Sequence, residues 1–342
     1  MNLVELLNTI RDNASASYQE RIPEATQNNI KEIQTAMLDG NNVQVANEFM
    51  STLLNMIVKV VIHDKLFTNP LKGLKKGTKP LGDTIEEIYT NFLKAEVYDP
   101  TGANLLERKL ADTKTVFHRM NRKDKYKVTV NEVSLRKAFN SYESLGAYIK
   151  TTINALYNSA ELDEFKLMKE LIKTADEKKA IKVVSVPDPT SGNPEDGKGF
   201  IKAVKIVSGD MVFPNENNNA YLTAQSTDDK AITTFTRKSE QILILDNATD
   251  VSLSIDVLAS IFNMSVAEFN DTKKIVIDSF HDPAVRGCLV DEQFFQIYDD
   301  LIQFKSFENA EGLYWNYFLH IWQTLAYSPL VNGVIFKVVK TD

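Results

Sequence analysis

The sequence holds a single cysteine, Cys288, in a chain of 342 residues. No intrachain disulfide can form, which fits a reducing compartment. The flanking run Gly287-Cys288-Leu289-Val290 is apolar, so Cys288 reads as a small buried core residue rather than a reactive thiol. Histidine is scarce as well. His63, His118, His281 and His320 show no spacing that a metal site requires. The chain has no GxGxxG, no Walker A loop and no GxSxG elbow. It therefore offers no local signature for binding a nucleotide or activating a nucleophile, and the reading is a non-enzyme with no catalytic residue, cofactor or metal. Long apolar runs are missing too. The opening segment carries Glu5 and does not resemble a signal peptide. The most apolar stretch, Phe49 to Ile62, is interrupted by Ser51, Thr52, Asn55 and Lys59. It is too broken to span a membrane, which takes about 20 apolar residues.

What is present is an ordinary globular composition, 43% hydrophobic and 25% charged, with a net charge of -7. A mildly acidic chain without a recognition motif is a poor regulator of nucleic acid. Paired acids occur at Glu86-Glu87, Asp163-Glu164, Asp228-Asp229 and Asp299-Asp300. Neighbours on a helix or strand diverge, so these read as solvated or salt-bridged surface rather than catalytic pairs.

Residues 1 to 42 are polar, compatible with short helices but not with a deep core. Periodicity predicts a helix from Asn42 to Asp64, with Val45, Phe49, Leu53, Ile57 and Val61 every fourth residue. A basic, turn-rich run follows. Residues 83–130 alternate in polarity around the turn signal Asp99-Pro100-Thr101-Gly102 and read as a long two-stranded excursion that must pack on something else. A helix over 132–140 precedes a long one over 144–178, roughly 50 Å at 1.5 Å per residue. Strands are expected at Ile181–Val186, Phe200–Val207, Gln241–Leu245, Lys274–Ile277 and Gly287–Val290. Short helices are expected over 255–262, over 266–269 and after Asp291 to Asp299. The aromatic run Tyr314 to Trp322 suits either a buried helix or a strand. Its β-branched and aromatic content favours strand and core. A final strand follows the turn at Asn332-Gly333. The fold class is α+β. A polar arm, a long hairpin and a long helix on one chain make sense when neighbouring copies cover them.

Charge is segregated. Residues 65–79 carry five lysines and no acid, and residues 104–130 carry eight cations against three acids. Residues 291–311 carry six acids against one lysine. Ordinary solvated charge accounts for this equally well. The alternative is that basic and acidic patches meet across subunits, with Lys75, Lys76, Arg119, Arg122, Lys123, Lys125, Asp299 and Asp300 as the contacts.

Several words in order, from near residue 18 to near 336, resemble the head proteins of small short-tailed phages of Gram-positive hosts. They include Tyr18-Gln19-Glu20-Arg21-Ile22-Pro23, Asn69-Pro70-Leu71-Lys72-Gly73-Leu74-Lys75-Lys76-Gly77 and Phe117-His118-Arg119-Met120-Asn121. Gly82-Asp83-Thr84-Ile85-Glu86-Glu87-Ile88, Ala310-Glu311-Gly312-Leu313-Tyr314-Trp315 and His320-Ile321-Trp322-Gln323-Thr324-Leu325 belong to the same set. The resemblance implies the Hong Kong 97 capsid fold. It implies an N-terminal arm over 1–78, an extended loop over 79–130 and a peripheral domain with a spine helix over 131–185. An axial domain would span 186–312, with a return to the peripheral domain over 313–342. Some relatives carry a further C-terminal immunoglobulin-like domain. The chain stops at Asp342, which suggests a form without one. The function implied is a major capsid protein, assembled in the host cytoplasm and residing in the virion. It would self-assemble as hexamers and pentamers into an icosahedral or prolate head enclosing double-stranded DNA without sequence-specific binding. Portal and scaffolding proteins would be partners, and no membrane is involved. The same fold leaves open an encapsulin-type compartment, and a hydrolase would require a tight buried carboxylate cluster in a cleft.

Overall fold

A computed structural model describes residues 3–38, 45, 48–49, 52, 67–79, 84–102, 106–131, 142–221, 231–253, 274–309 and 311–338. The chain separates into two compact units. One comprises Met1–Asn69, Lys123–Glu164 and Leu301–Trp322; the other comprises Pro70–Arg122, Phe165–Asp300 and Gln323–Asp342. The expected helices over 132–140, 255–262 and 266–269 and the acids Asp228-Asp229 lie outside the described residues. So does most of the expected helix from Asn42 to Asp64, of which residues 45, 48, 49 and 52 are helical.

The first unit opens with three helices, α1 (Leu3–Asn13), α2 (Ala16–Arg21) and α3 (Ile30–Leu38). Contrary to expectation, this polar region has a deep core. Leu7, Ile10, Tyr18, Ile22, Ala25, Ile33 and Met37 are buried together with Val45, Phe49, Val130, Trp315 and Tyr317. The apolar residues are few, but helical spacing puts them on shared faces. The polar residues that disguise the core satisfy the backbone between the helices. Asn8 Nδ2 donates to the Ala25 carbonyl at 3.1 Å, and its Oδ1 accepts from the Ala25 amide at 2.6 Å. Arg11 Nε donates to the Ile22 carbonyl at 2.9 Å, and Ser15 caps α2 at the Tyr18 amide.

Strands β1 (Thr84–Thr90) and β2 (Thr113–Arg119) pair antiparallel. Strand β3 (Arg122–Asn131) does not continue that excursion. It joins a three-stranded sheet of order β3-β9-β8, in which β8 is Phe295–Asn309 and β9 is Tyr314–Tyr327. The two-stranded excursion therefore ends at Arg119, because Tyr126, Val128 and Val130 have a buried apolar surface to alternate against. The 36-residue helix α4 (Tyr142–Glu177) matches the expected long helix, its last portion lying in the second unit. In the first unit its Leu156 and Ala160 pack with Leu319 and Ile321 of β9.

The second unit is built on a five-stranded mixed sheet of order β4-β10-β7-β5-β6. These strands are β4 (Lys182–Val186), β5 (Gln241–Asp246), β6 (Lys274–Ile277), β7 (Val285–Asp291) and β10 (Gly333–Val338). Cys288 stands opposite Ile335 on one side and Ile244 on the other. It is fully buried, and that burial pushes its thiol pKa up, so it behaves as a core residue.

Helix α5 (Pro194–Asp210) corrects the expected strand Phe200–Val207. Asn193 accepts from the Glu195 amide, Pro194 opens the first turn, and Phe200, Val204 and Val207 face the sheet at helical spacing. A β-branched run thus obeys its cap and its core rather than its propensity. The short helix α6 (Asn247–Ser252) is capped by Asp246. The expected helix after Asp291 is also absent. Asp291 Oδ1 accepts from the Gln293 amide at 2.8 Å, an Asx turn, and the chain reverses into β8. The carboxylate of Asp291 is raised in pKa, chiefly by its burial, while a bond from Thr236 opposes the shift.

Helix α4 terminates with Lys179 at φ 55 and the Ala180 amide bonded to the Ala175 carbonyl at 2.7 Å. Near that end, Asp176 accepts from Lys337 Nζ of β10 at 2.7 Å and from His281 Nε2 at 2.8 Å. Met168, earlier on α4, is fully buried. Met168→Asp, which strands a carboxylate there, is expected to abolish soluble, cooperatively melting protein. A sharp thermal transition in that variant would refute the helix's placement.

Asp188 gives a pH test. The Arg286 guanidinium, bonded through Nε at 3.0 Å and Nη2 at 3.1 Å, pulls its pKa down to about 2. A depressed carboxylate contributes stability above its unfolded pKa and loses it as pH falls towards the folded value. Allowing for solvent screening, Asp188→Asn should cost about 1 kcal/mol at pH 7. The gap to wild type should close between about pH 4 and pH 2. Urea midpoints across that range check it.

Candidate functional site

Three features could serve a function. The first is a clamp in the second unit. Backbone pairing lays the segment 76–79 along β8: the Lys76 amide bonds to Ile297 O at 2.8 Å, Asp299 N to Gly77 O at 2.9 Å and Lys79 N to Asp299 O at 3.0 Å. Gly77 sits at φ 99, a left-handed conformation that costs a glycine little. This pairing places Lys75 2.8 Å from Asp299 and Lys79 2.7 Å from Asp300. Gln323 donates to Asp299 Oδ1 at 2.7 Å, Thr324 to Asp300 Oδ2 at 2.9 Å, and Arg122 Nη1 to Gln323 Oε1 at 2.6 Å. Lys76 Nζ donates to the Glu292 carbonyl at 2.7 Å. Burial lowers its pKa, opposed by the nearby Glu292, Asp291 and Glu87. Of the eight charged residues singled out in the sequence, the structure brings Lys75, Lys76, Arg122, Asp299 and Asp300 together inside one chain.

The second feature is the β1–β2 excursion. Its base is tied down: Tyr89 donates to the Thr233 carbonyl at 2.5 Å, Asn91 Nδ2 to the Ala231 carbonyl at 3.0 Å, and His118 Nε2 contacts Glu87 Oε2 at 2.6 Å. Beyond the base the chain is extended and its apolar side chains are bare. Val97 is 95% exposed, Tyr98 86%, Leu106 92% and Leu110 89%. Phe92 and Leu93 are exposed as well. So much apolar surface on an extended arm marks an interaction site. The sequence reading of this segment as an excursion that must pack on something else did not single these residues out.

The third feature belongs to the first unit. On β3, Lys123, Lys125 and Lys127 alternate to the exposed face, while Tyr126 and Val128 turn to the core. Lys123 Nζ lies 5.5 Å from the Trp322 ring centre, and Lys125 and Lys127 lie 5.5 Å and 5.8 Å from that of Phe318. Each pair is a cation–π contact. Lys127, Phe318 and Trp322 join the set only in the folded sheet. Arg119, at the end of β2, is exposed.

No group of three or more metal-ligating side chains occurs among the described residues, and none of their helices is long and apolar enough to cross a membrane.

Known proteins supply a further finding. The Phi29-like phage major capsid protein family matches residues 7–337. The major capsid protein of Bacillus phage PZA is 35% identical over 334 residues, covering 97% of this chain and 72% of that protein. That of Streptococcus phage Cp-1 is 26% identical over 339 residues, covering 93% and 89%. Among solved structures, a chain from the capsid of Staphylococcus phage Andhra superposes with a TM-score of 0.64 at 12% identity, over 80% of this chain and 85% of that one. A chain of the mature capsid of bacteriophage PhiM1 gives 0.52 at 10% identity, over 81% and 89%. The fold is that of phage capsid proteins.

The clamp generates a stability prediction. The side chains of Lys79 and Asp300 are only 6% and 7% exposed. Asp300→Ala strands a buried ammonium and should destabilise the subunit by about 3 kcal/mol. Replacing both partners, Lys79→Met with Asp300→Leu, should recover most of that loss. Denaturant midpoints of the single and double variants decide the point.

Proposed function

The chain belongs to the Phi29-like phage major capsid proteins and is a structural subunit of a phage head shell, and from that premise we propose how it assembles and what it encloses. Copies of the chain gather as hexamers and pentamers, close into an icosahedral or prolate head, and enclose double-stranded DNA without reading its sequence. Portal and scaffolding proteins are its partners in the host. The shell role asks for no turnover, cofactor or metal, and the chain has none of the motifs that supply them. Family membership over almost the whole chain favours this reading over an encapsulin-type compartment.

The observation that carries the assembly reading is the bare excursion. A soluble monomer has no use for Val97, Tyr98, Leu106 and Leu110 at nearly full exposure. A shell covers them with neighbours, and burying such side chains stabilises by about 1.5–3 kcal/mol each. In this reading residues 1–78 form an arm, 79–130 the extended loop, 131–185 the peripheral domain with α4 as its spine, 186–312 the axial domain and 313–342 the return to the peripheral domain. Exposed Arg119, Lys123 and Lys125 meet acidic surface on adjacent subunits. Lys75, Lys76, Arg122, Asp299 and Asp300, satisfied within the chain, serve the subunit's own fold instead.

Purified protein, alone or with a scaffold, is expected to form closed shells in electron micrographs. Val97→Ser with Tyr98→Ser and Leu106→Ser should leave the subunit's melting temperature within about 2 °C, because exposed positions contribute little to folding. Shell formation should be lost. Shells from the triple variant at the wild-type yield would remove the excursion from assembly, and stoichiometric zinc or nucleotide in the purified protein would contradict the purely structural role.

A further inference from the structure

Helix α5 carries two unlike faces. Phe200, Val204 and Val207 are buried with the five-stranded sheet, which fixes the helix in place. On the opposite side Lys198, Lys202, Ile206 and Gly209 recur at spacings of three and four, with Lys205 beside them. They form one stripe about 17 Å long. Past the helix end the Val212 amide bonds to the Gly209 carbonyl and the Phe213 amide to that of Asp210, both at 3.2 Å. This turn continues the winding and puts Phe213 one step beyond Gly209 on the stripe. Ile206 is 52% exposed and Phe213 69%. A Cβ at Gly209 would meet nothing within 4 Å, so the backbone lies open between the two. Beside the stripe, the segment 236–241 is bonded to the helix end. The Thr236 amide donates to the Met211 carbonyl at 2.7 Å and Gln241 Nε2 to the Ser208 carbonyl at 3.0 Å. Lys238 of that segment has a lowered pKa, first through burial and then through the repulsion of Lys205. Four cations thus border two exposed apolar side chains. Two carboxylates flank them: Asp210 is exposed, and Glu195 accepts from Lys198 in a pair open to solvent and therefore weak.

Resting on the shell reading above for its role in assembly, we propose that the outer stripe of α5 docks an acidic amphipathic helix of a second protein. Each property of the stripe selects part of that occupant. Its straight course over about three turns fits a helix, since the ridges of one helix enter the grooves of another. The opening at Gly209 lets the two backbones approach closely. Ile206 and Phe213 call for apolar side chains, which would take their surface out of water. Lys198, Lys202, Lys205 and Lys238 call for carboxylates, and one placed between Lys205 and Lys238 relieves their repulsion. A partner that gathers subunits reversibly before a shell closes needs a surface of this modest, salt-sensitive kind. Duplex DNA is the less suitable occupant. Its phosphates would use the lysines but leave Ile206 and Phe213 uncovered, and the acidic remainder of the chain repels a polyanion. A second copy offers less as well, because Asp291, Asp299 and Asp300 of its acidic 291–311 region are held within their own chain.

A labelled peptide tests the stripe on the unassembled full chain. The probe is a helix of leucine, glutamate and alanine, about 18 residues or five turns long, with its leucines at helical spacing. A scrambled peptide of the same composition and a short DNA duplex are the controls. Fluorescence anisotropy is expected to show micromolar binding of the amphipathic peptide that weakens as salt rises, and much weaker binding of both controls. Lys202→Glu with Lys205→Glu should raise the Kd about tenfold or more. Ile206→Ser with Phe213→Ser should do the same, with the melting temperature within about 2 °C of wild type. Gly209→Gln separates docking from folding. It fills the opening, so it should weaken binding, yet it improves helix propensity, so the melting temperature should hold or rise. If the charge reversal does not fold, Lys202→Gln with Lys205→Gln replaces it and should weaken binding in the same direction. Absence of peptide binding, equal binding of the scrambled peptide, or wild-type affinity in the stripe variants overturns the proposal. So does tighter binding of the duplex that depends on the same lysines but not on Ile206 and Phe213. A stripe variant that changes the sedimentation of the subunit alone, with peptide affinity unchanged, would make the face a contact between copies and also overturn it. Failure of the wild-type chain to form shells at all would instead count against the shell reading.

Discussion

The two-residue alternation of β9 is the constraint on which the rest depends. Along Tyr314–Trp322, every odd position sends an apolar side chain inward: Trp315 and Tyr317 to the core beneath α1–α3, Leu319 and Ile321 to α4. Phe318 and Trp322, at even positions, turn to the opposite face and lie under the lysines of β3. Farther along the strand, Gln323 and Thr324 become fully buried and hold Asp299 and Asp300. One strand thereby organises a hydrophobic core, a charged face and a buried polar clamp. A slip of one residue would exchange the inner and outer sets and lose all three.

The charges separate by how they are solvated. Lys75, Lys79, Asp299 and Asp300 lie in a largely buried network where each charge has a partner and each partner a hydrogen bond. Such a network fixes the path of the 75–79 segment more than it adds net stability, since desolvation offsets much of the attraction. Lys123, Lys125 and Lys127 remain exposed over rings, where they stay available to a second molecule. The same division separates apolar residues. Most of those of the five-stranded sheet, such as Leu243, Leu289 and Ile335, are spent inside the subunit, while Val97, Tyr98, Leu106 and Leu110 are held out on the excursion, whose base is anchored by Tyr89 and Asn91.

Regular patterns were legible in the sequence. The long stripe of α4, the aromatic strand β9 and strands β4, β5, β6, β7 and β10 all appear where periodicity and turn residues put them. The readings that failed did so where local chemistry competed with pattern. Phe200–Val207 has strand-like composition, yet Asn193, Pro194 and the spacing of its buried residues make it helical. Asp291 has the chemistry of a helix cap but closes an Asx turn. The first 38 residues looked too polar for a core because Asn8, Arg11 and Gln19 bond the backbone between helices, a role invisible without the fold.

By itself the sequence determined the class of the molecule: an α+β chain with no catalytic signature, a long helix, a long excursion and family words running in order along almost its whole length. These follow from periodicity, from spacing and from what is missing, all of which are properties of the chain in one dimension. Only the tertiary structure decided which charges are spent at home. Lys75 and Asp299 are 224 positions apart in sequence yet form an ion pair at 2.8 Å, and Lys123 finds Trp322 across a sheet. Segregated charge in a sequence shows that opposite patches exist. Whether they neutralise one another within a subunit or remain for a neighbour depends on distance and desolvation, and both are set by strand pairing.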